Sequence, residues 1–200
     1  MGTYTKRTMT TQRFEALSDG VIAIILTIMV FDLKFQDPIT PETIADQLIQ
    51  LIPSFLTYAV SFFTICVFWF HHHQLFHQMH SLTPSILWLG LHWLFWMSLI
   101  PFATHFVGTH PSYWQATLLY GLIFFAAAAA FSRLRRAVLA KGLLHAEVDG
   151  RRVRSILTKN KVGQILYLLG ALSGLASVYL AFLFFIIVPA MYVWPEKSSH

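Results

Sequence analysis

Charge is what this chain lacks most: 12% of its 200 residues are charged, against 56% that are hydrophobic, where a globular domain carries about a quarter charged residues. A soluble core is excluded. The mean hydropathy of +0.59 agrees, and the apolar residues gather in runs at 52–70, 86–107, 113–131 and 162–194, each long enough for the roughly 20 residues that cross hydrocarbon. Cysteine is nearly absent. Cys66 alone cannot form an internal disulfide, and one chain cannot build a metal site on paired thiolates. No Gly-rich phosphate loop is present, and no pair of acids lies close in sequence within a membrane run, so the chain is not read as an enzyme. The first apolar run, from Leu17 to Leu33, has no A-x-A-like cleavage site and reads as a retained helix.

What is present is an all-α membrane protein of six helices, taken as one transmembrane domain over residues 1–200. Helix 1 covers about 12–34 and is followed by a Pro-containing acidic loop with Asp37, Pro38, Pro41, Glu42 and Asp46. Helix 2 is expected from about Pro53 to His77, helix 3 from Pro84 to about Val107, and helix 4 from Ser112 to about Ala140. Lys141–Arg154 reads as a polar loop. The last stretch, Val162–Trp194, has 33 residues, about 50 Å as one helix against a core of about 30 Å. It protrudes or folds back, and Gly170, Ser173, Gly174 and Ser177 favour two helices.

The net charge of +5 does not indicate a nucleic-acid partner, because nine of the fourteen Lys/Arg lie between Arg133 and Lys161. That clustering is topological. With Lys6, Arg7 and Arg13 before helix 1, the positive-inside rule places the N-terminus and the basic segment in the cytoplasm, and a sixth helix brings Lys197 there too.

The first helix carries the most information. Arg13, Glu15, Ser18 and Asp19 stand at its start, where ionisable groups need partners, although an interfacial position near the helix dipole also accommodates an acid. At about 100° per residue, Leu17, Gly20, Ile24, Thr27, Ile28 and Phe31 share a stripe roughly 100° wide. Asp19 points about 140° away from Ile24. Such a stripe suits ordinary bundle packing or the lining of a central axis, and periodicity alone does not choose between them.

Arg13, Ser18 and Asp19, followed by Ala23, Ile24 and Thr27, resemble the Arg-x-x-x-Phe-Ser-Asp and Ala-Ile-x-x-Thr pattern of the endosomal and lysosomal potassium channel family of the transmembrane-protein-175 type. A second segment, Trp69 to Phe76, is similar to that family's Trp-x-x-His-His-x-x-Phe pattern. The resemblance is to the single-repeat prokaryotic members. It implies a potassium-permeable cation channel without a Thr-Val-Gly-Tyr-Gly filter, assembled as a homotetramer in a prokaryotic plasma membrane, with the first helices lining the pore. By the same resemblance, Ile24 is the inner hydrophobic ring, Thr27 the hydroxyl layer, and Ile28 and Phe31 further narrow rings. Arg13, Ser18 and Asp19 then join Trp69 and His72 or His73 in a polar network behind the pore helix. Asp32 is the acid expected to concentrate monovalent cations at the outer mouth. No cofactor is implied beyond the permeating potassium ion. Two positions depart from the pattern: Leu17 stands where the family has Phe, and Phe31 where it often has Leu.

The rival reading is a proton- or metal-coupled transporter using His71, His72, His73, His77 and His80. His73, His77 and His80 are spaced i, i+4, i+7, which would put three imidazoles on one helical face.

Overall fold

The computed structural model describes residues 10–145 and 150–193, and these are helical apart from short connections. Helix α1 spans Thr11–Ile28 and tightens into a 3-10 turn at Met29–Asp32; α2 spans Ile44–His77, α3 Pro84–Ser98, α4 Ile100–Thr109, α5 Trp114–Ala140, α6 Gly150–Ser173 and α7 Val178–Val193. With α3 and α4 taken as two halves of one broken element, there are six helical elements. Thr11–Asp32, Ile44–His77, Pro84–Thr109 and Trp114–Ala140 are each long and apolar enough to cross a membrane, and α7 is a shorter apolar helix.

Several boundaries differ from the sequence expectation for identifiable reasons. Helix α2 begins at Ile44, and Pro53 lies inside it. The bond that Pro53 cannot donate is tolerated because only the first turns precede it, and those are tied down separately: Gln47 exchanges two 2.9 Å hydrogen bonds with the backbone of Gln36. The expected continuous helix 3 is broken at Leu99, because Pro101 lacks the N–H that would reach the Met97 carbonyl. The Lys141–Arg154 segment is not all loop, since α6 starts at Gly150. A polar helix carries no apolar period to announce it.

The final stretch folds back at Gly174–Ser177, giving α6 and α7. The Ser177 hydroxyl accepts from the Leu180 N–H at 3.4 Å, supplying a start signal for α7. The expected end at Trp194 and the terminal Lys6, Arg7 and Lys197 lie outside the described residues.

Helix α5 occupies the middle of the bundle, packing on α3, α4, α6 and α7, while α2 packs on α4 and α7. Its buried face includes Ala116, Gly121, Ala127, Ala128 and Ala130, small residues that let helices approach closely where lipid removes the hydrophobic drive between them. A Cβ on Gly121 would sit 2.9 Å from the Ala171 Cα of α6, and one on Gly170 would meet the Phe185 ring of α7. Three buried hydroxyls meet between helices: Ser61 of α2 lies 2.8 Å from the Thr104 hydroxyl and 2.9 Å from that of Tyr120. Helix α1 lies at the margin, against α2 and α3.

Because the obstacle at Gly121 is backbone, Gly121→Ala should destabilise the fold by about 1–3 kcal/mol through overpacking. Gly163→Ala, where the nearest atom is at 3.5 Å, should cost nothing comparable. Thermal unfolding of the two variants in detergent distinguishes them, and equal midpoints would contradict the packing argument.

Candidate pore helix and its anchors

Helix α1 has two unlike faces. Phe14, Ser18, Ile22 and Ile25 are buried, and Met29 of the 3-10 turn extends that row; the spacing of three and four residues is that of one helical stripe. Phe14 is seated against the backbone of α3, where a Cβ on Gly90 would overlap its ring. The other face is uncovered: Leu17 is 44%, Ile24 63%, Ile28 49% and Phe31 66% exposed, and Gly20 and Thr27 are exposed between them. The stripe read from the sequence therefore packs on little of its own chain. Thr27 donates its hydroxyl proton to the carbonyls of Ala23 at 2.9 Å and Ile24 at 3.1 Å. With the proton held by the backbone, the oxygen lone pairs remain the group's outward chemistry.

Two polar contacts fasten the start of α1 to α2. The Trp69 indole N–H donates to Asp19 Oδ1 at 2.9 Å, and His73 Nδ1 lies 2.8 Å from Glu15 Oε1. Glu15 and Asp19 are one turn apart on α1, as are Trp69 and His73 on α2, and the crossed order of pairing fits antiparallel neighbours. The two α2 rings stack on each other at 5.7 Å and 16°, so the contacts form one continuous clasp.

The structure divides the residues expected in this network. Asp19, Trp69 and His73 come together. Ser18 is fully buried and donates to its own helix, to the Phe14 carbonyl at 2.9 Å. Arg13 is exposed on the first turn, where its backbone N–H donates to the Thr10 cap. His72 is buried among Phe14, Phe76 and Trp93, with ring centroids 4.4 Å from Phe76 and 4.9 Å from Trp93; it supports Phe14 by contact. Glu15 is the member that sequence reasoning left out of the network, and its signal was available: an acid one turn before Asp19. At the other end of α1, Asp32 Oδ1 lies 3.0 Å from His105 Nδ1 of α4.

The histidines do not converge. His71 faces Tyr192 of α7 at 4.8 Å, His72 is in the aromatic core, and His73 stacks on His77 at 6.1 Å. His80 lies beyond the end of α2, where its Nε2 is 3.2 Å from the Gly142 carbonyl. The i, i+4, i+7 face fails because the helix stops at His77. No group of three or more His, Cys, Asp or Glu able to hold a metal occurs among the described residues.

These features define a helical membrane protein of several apolar spans, whose first helix is packed and clasped on one face and exposed on the other. The family model described as "Endosomal/lysosomal potassium channel TMEM175" matches residues 13–101, which include α1 from Arg13 onward and the Trp69–Phe76 segment. A potassium channel of Chryseobacterium sp. (strain P1-3) is 34% identical over 193 residues, covering 94% of this chain and 95% of the relative. A potassium channel of Chamaesiphon minutus is 34% identical over 178 residues, covering 86% and 87%. Among solved structures, that of a lysosomal potassium-selective channel TMEM175 homolog from Chamaesiphon minutus superposes with a TM-score of 0.78 at 28% identity, covering 91% of this chain and 95% of that one. The chain belongs to the TMEM175 channel family and is of its single-repeat prokaryotic type.

The clasp makes a measurable demand. In a double-mutant cycle with Asp19→Asn and Trp69→Phe, the part-exposed hydrogen bond should give a coupling of about 1 kcal/mol in unfolding experiments. Additive effects would show that the two side chains do not depend on each other.

Proposed function

We propose that the protein is a potassium-permeable cation channel in which α1 helices from four copies of the chain surround the ion path. The uncovered stripe of α1 carries this reading: a row of isoleucine, threonine and phenylalanine has its opposite face packed and clasped to the same subunit. One helix cannot enclose a pore, and closed cyclic symmetry supplies the other walls. Residues 1–200 then form one channel domain, with lipid and sister subunits as its partners.

In this assembly Ile24 forms the inner hydrophobic ring and Thr27 the hydroxyl layer. Ile28 and Phe31 form further rings toward the outside. Four Thr27 oxygens, each with its proton turned back to the helix, replace part of the water around a potassium ion, while the apolar rings restrict passage by size and dewetting. Asp32 stands at the outer mouth, within hydrogen-bond distance of His105. Glu15, Asp19, Trp69 and His73 hold the helix through the clasp and His72 supports it by packing on Phe14, none of them touching the ion, while Arg13 and Ser18 stay off the ion path. The basic stretch between Arg133 and Lys161 favours an orientation with both termini in the cytoplasm of a prokaryotic cell.

Recording from purified protein in planar bilayers, with potassium on one side and sodium on the other, tests this. Unitary currents reversing toward the potassium potential are expected. Ile24→Ala and Thr27→Ala should shift the reversal potential, whereas Asp19→Ala should reduce the number of open channels and leave that potential in place. Unchanged permeability ratios in both α1-stripe variants would remove the pore assignment. Saturable flux driven by a proton or metal gradient, without unitary events, would replace the channel with a transporter.

A further inference from the structure

Away from α1, the basic end of the bundle encloses a charge that the proposed ion path does not use. Arg135, in the last turns of α5, is only 5% exposed. One of its Nη2 protons reaches the His71 carbonyl at 3.4 Å, and its guanidinium lies 5.0 Å from the centre of the Phe131 ring. Its Nε and Nη1 have no hydrogen-bond partner, and among the described residues no carboxylate pairs with it. A guanidinium does not escape this by losing its proton, and a buried cation with a single long hydrogen bond and no carboxylate beside it among the described residues is costly.

Arg135 lines a small cavity with Gln74, Leu75, Gln78, Leu139, Leu144 and Ile156. Gln74 and Gln78 are four apart at the end of α2, so both amides can turn to the same side. The cavity's wall is held in place by the loops: Met79 and Leu144 form an isolated antiparallel bridge, and the His80 N–H donates to the Leu143 carbonyl at 3.1 Å. The free space is about 20 Å³, room for one oxygen-sized group, and the cavity is partly open to the surface.

We propose that this cavity binds one oxygen of a phosphate group, with Arg135 supplying the counter-charge and Gln74 and Gln78 supplying amide donors. Water fits the volume but brings no charge to oppose the guanidinium. A phosphate oxygen brings both charge and lone pairs, the combination that guanidinium groups recognise best. The surrounding sequence favours the encounter, since the stretch from Arg133 to Lys161 holds nine of the fourteen Lys/Arg and draws anions to this end. The phosphate comes from a lipid headgroup at the membrane surface or from solution. Either source locks the end of α2 to α5, on the same helix that holds the clasp on α1.

The test uses the full chain purified in detergent and freed of lipid, with thermal unfolding as the readout and two probes: inorganic phosphate, and phosphatidylglycerol added to the micelles. At about a hundred times its Kd the effective probe should raise Tm by about 5 °C or more, and Arg135→Gln should abolish the shift. Should that variant fail to fold, Gln78→Glu decides, because it gives Arg135 an internal carboxylate. It is expected to raise the ligand-free Tm and to remove the response. A response to inorganic phosphate assigns a site for the free anion. A response to phosphatidylglycerol alone assigns a headgroup site, with one lipid per subunit retained in native mass spectrometry of the wild type and lost from Gln78→Glu. The proposal is overturned if neither probe shifts the wild type, or if Gln78→Glu responds as the wild type does. Channel currents play no part in these outcomes, so failure here leaves the proposed pore standing.

Discussion

Everything specific about this molecule depends on α1 being held from one side only. Phe14, Ser18, Ile22, Ile25 and Met29 form its attachment, and the clasp of Glu15 and Asp19 onto His73 and Trp69 fixes the helix's rotation. Rotation is what matters: a turn of one residue, about 100°, would carry Ile24 and Thr27 off the uncovered face. Apolar contacts alone are non-directional and would tolerate small rotations. Hydrogen bonds to two acids one turn apart do not, which explains why charged residues are kept at a membrane helix start where they are expensive.

The rest of the bundle is a frame that keeps α2 and α3 still enough for the clasp to mean something. In lipid the frame gains little from hydrophobic association, so it is built from close approach and internal hydrogen bonding. Gly121 against Ala171 and Gly170 against Phe185 bring α5, α6 and α7 together, and two hydrogen bonds centred on Ser61 join α2, α4 and α5 through the Thr104 and Tyr120 hydroxyls. Gln164 of α6 donates to the Ser132 hydroxyl of α5, and the Tyr192 hydroxyl of α7 donates to Asn160 at 3.1 Å. These bonds cross between helices at several depths, so the helices resist sliding as well as separating.

The face of α1 was legible because a 3.6-residue period survives in any one-sided helix, and the fold-back after Ser173 was legible because 33 apolar residues exceed a membrane's thickness. Breaks and partners were harder. Pro53 has the same local signature as Pro84, yet one lies inside a helix and the other begins one; the difference comes from Gln36 and Gln47, eleven residues apart. Pro101 breaks its helix, although the apolar run continues through it. Glu15 and His73 are 58 residues apart, and helical spacing gives the direction of each without naming the other. The histidine run looked like a cluster because sequence counts neighbours, whereas successive residues on a helix point about 100° apart and the chain leaves the helix before His80.

The two ends of α1 are held by different physics. Its start is fixed by buried rings and two stacked polar contacts, whereas its far end narrows into a 3-10 turn, a geometry with poorer hydrogen bonds, where Met29 is buried and the polar tie to α4 is the Asp32–His105 pair, both of whose members are partly exposed. Exposed pairs contribute little. Between the ends, Ile22 and Ile25 offer only packing. In the proposed pore this grades stiffness along the ion path, from a firmly oriented level near Asp19 to a more yielding one near Phe31. A rearrangement of the path therefore costs least at the 3-10 end. There α4 stays packed on α2 and α5 and bonded to α2 through Thr104 and Ser61, so the yielding part is the 3-10 turn and not the helix it rests on.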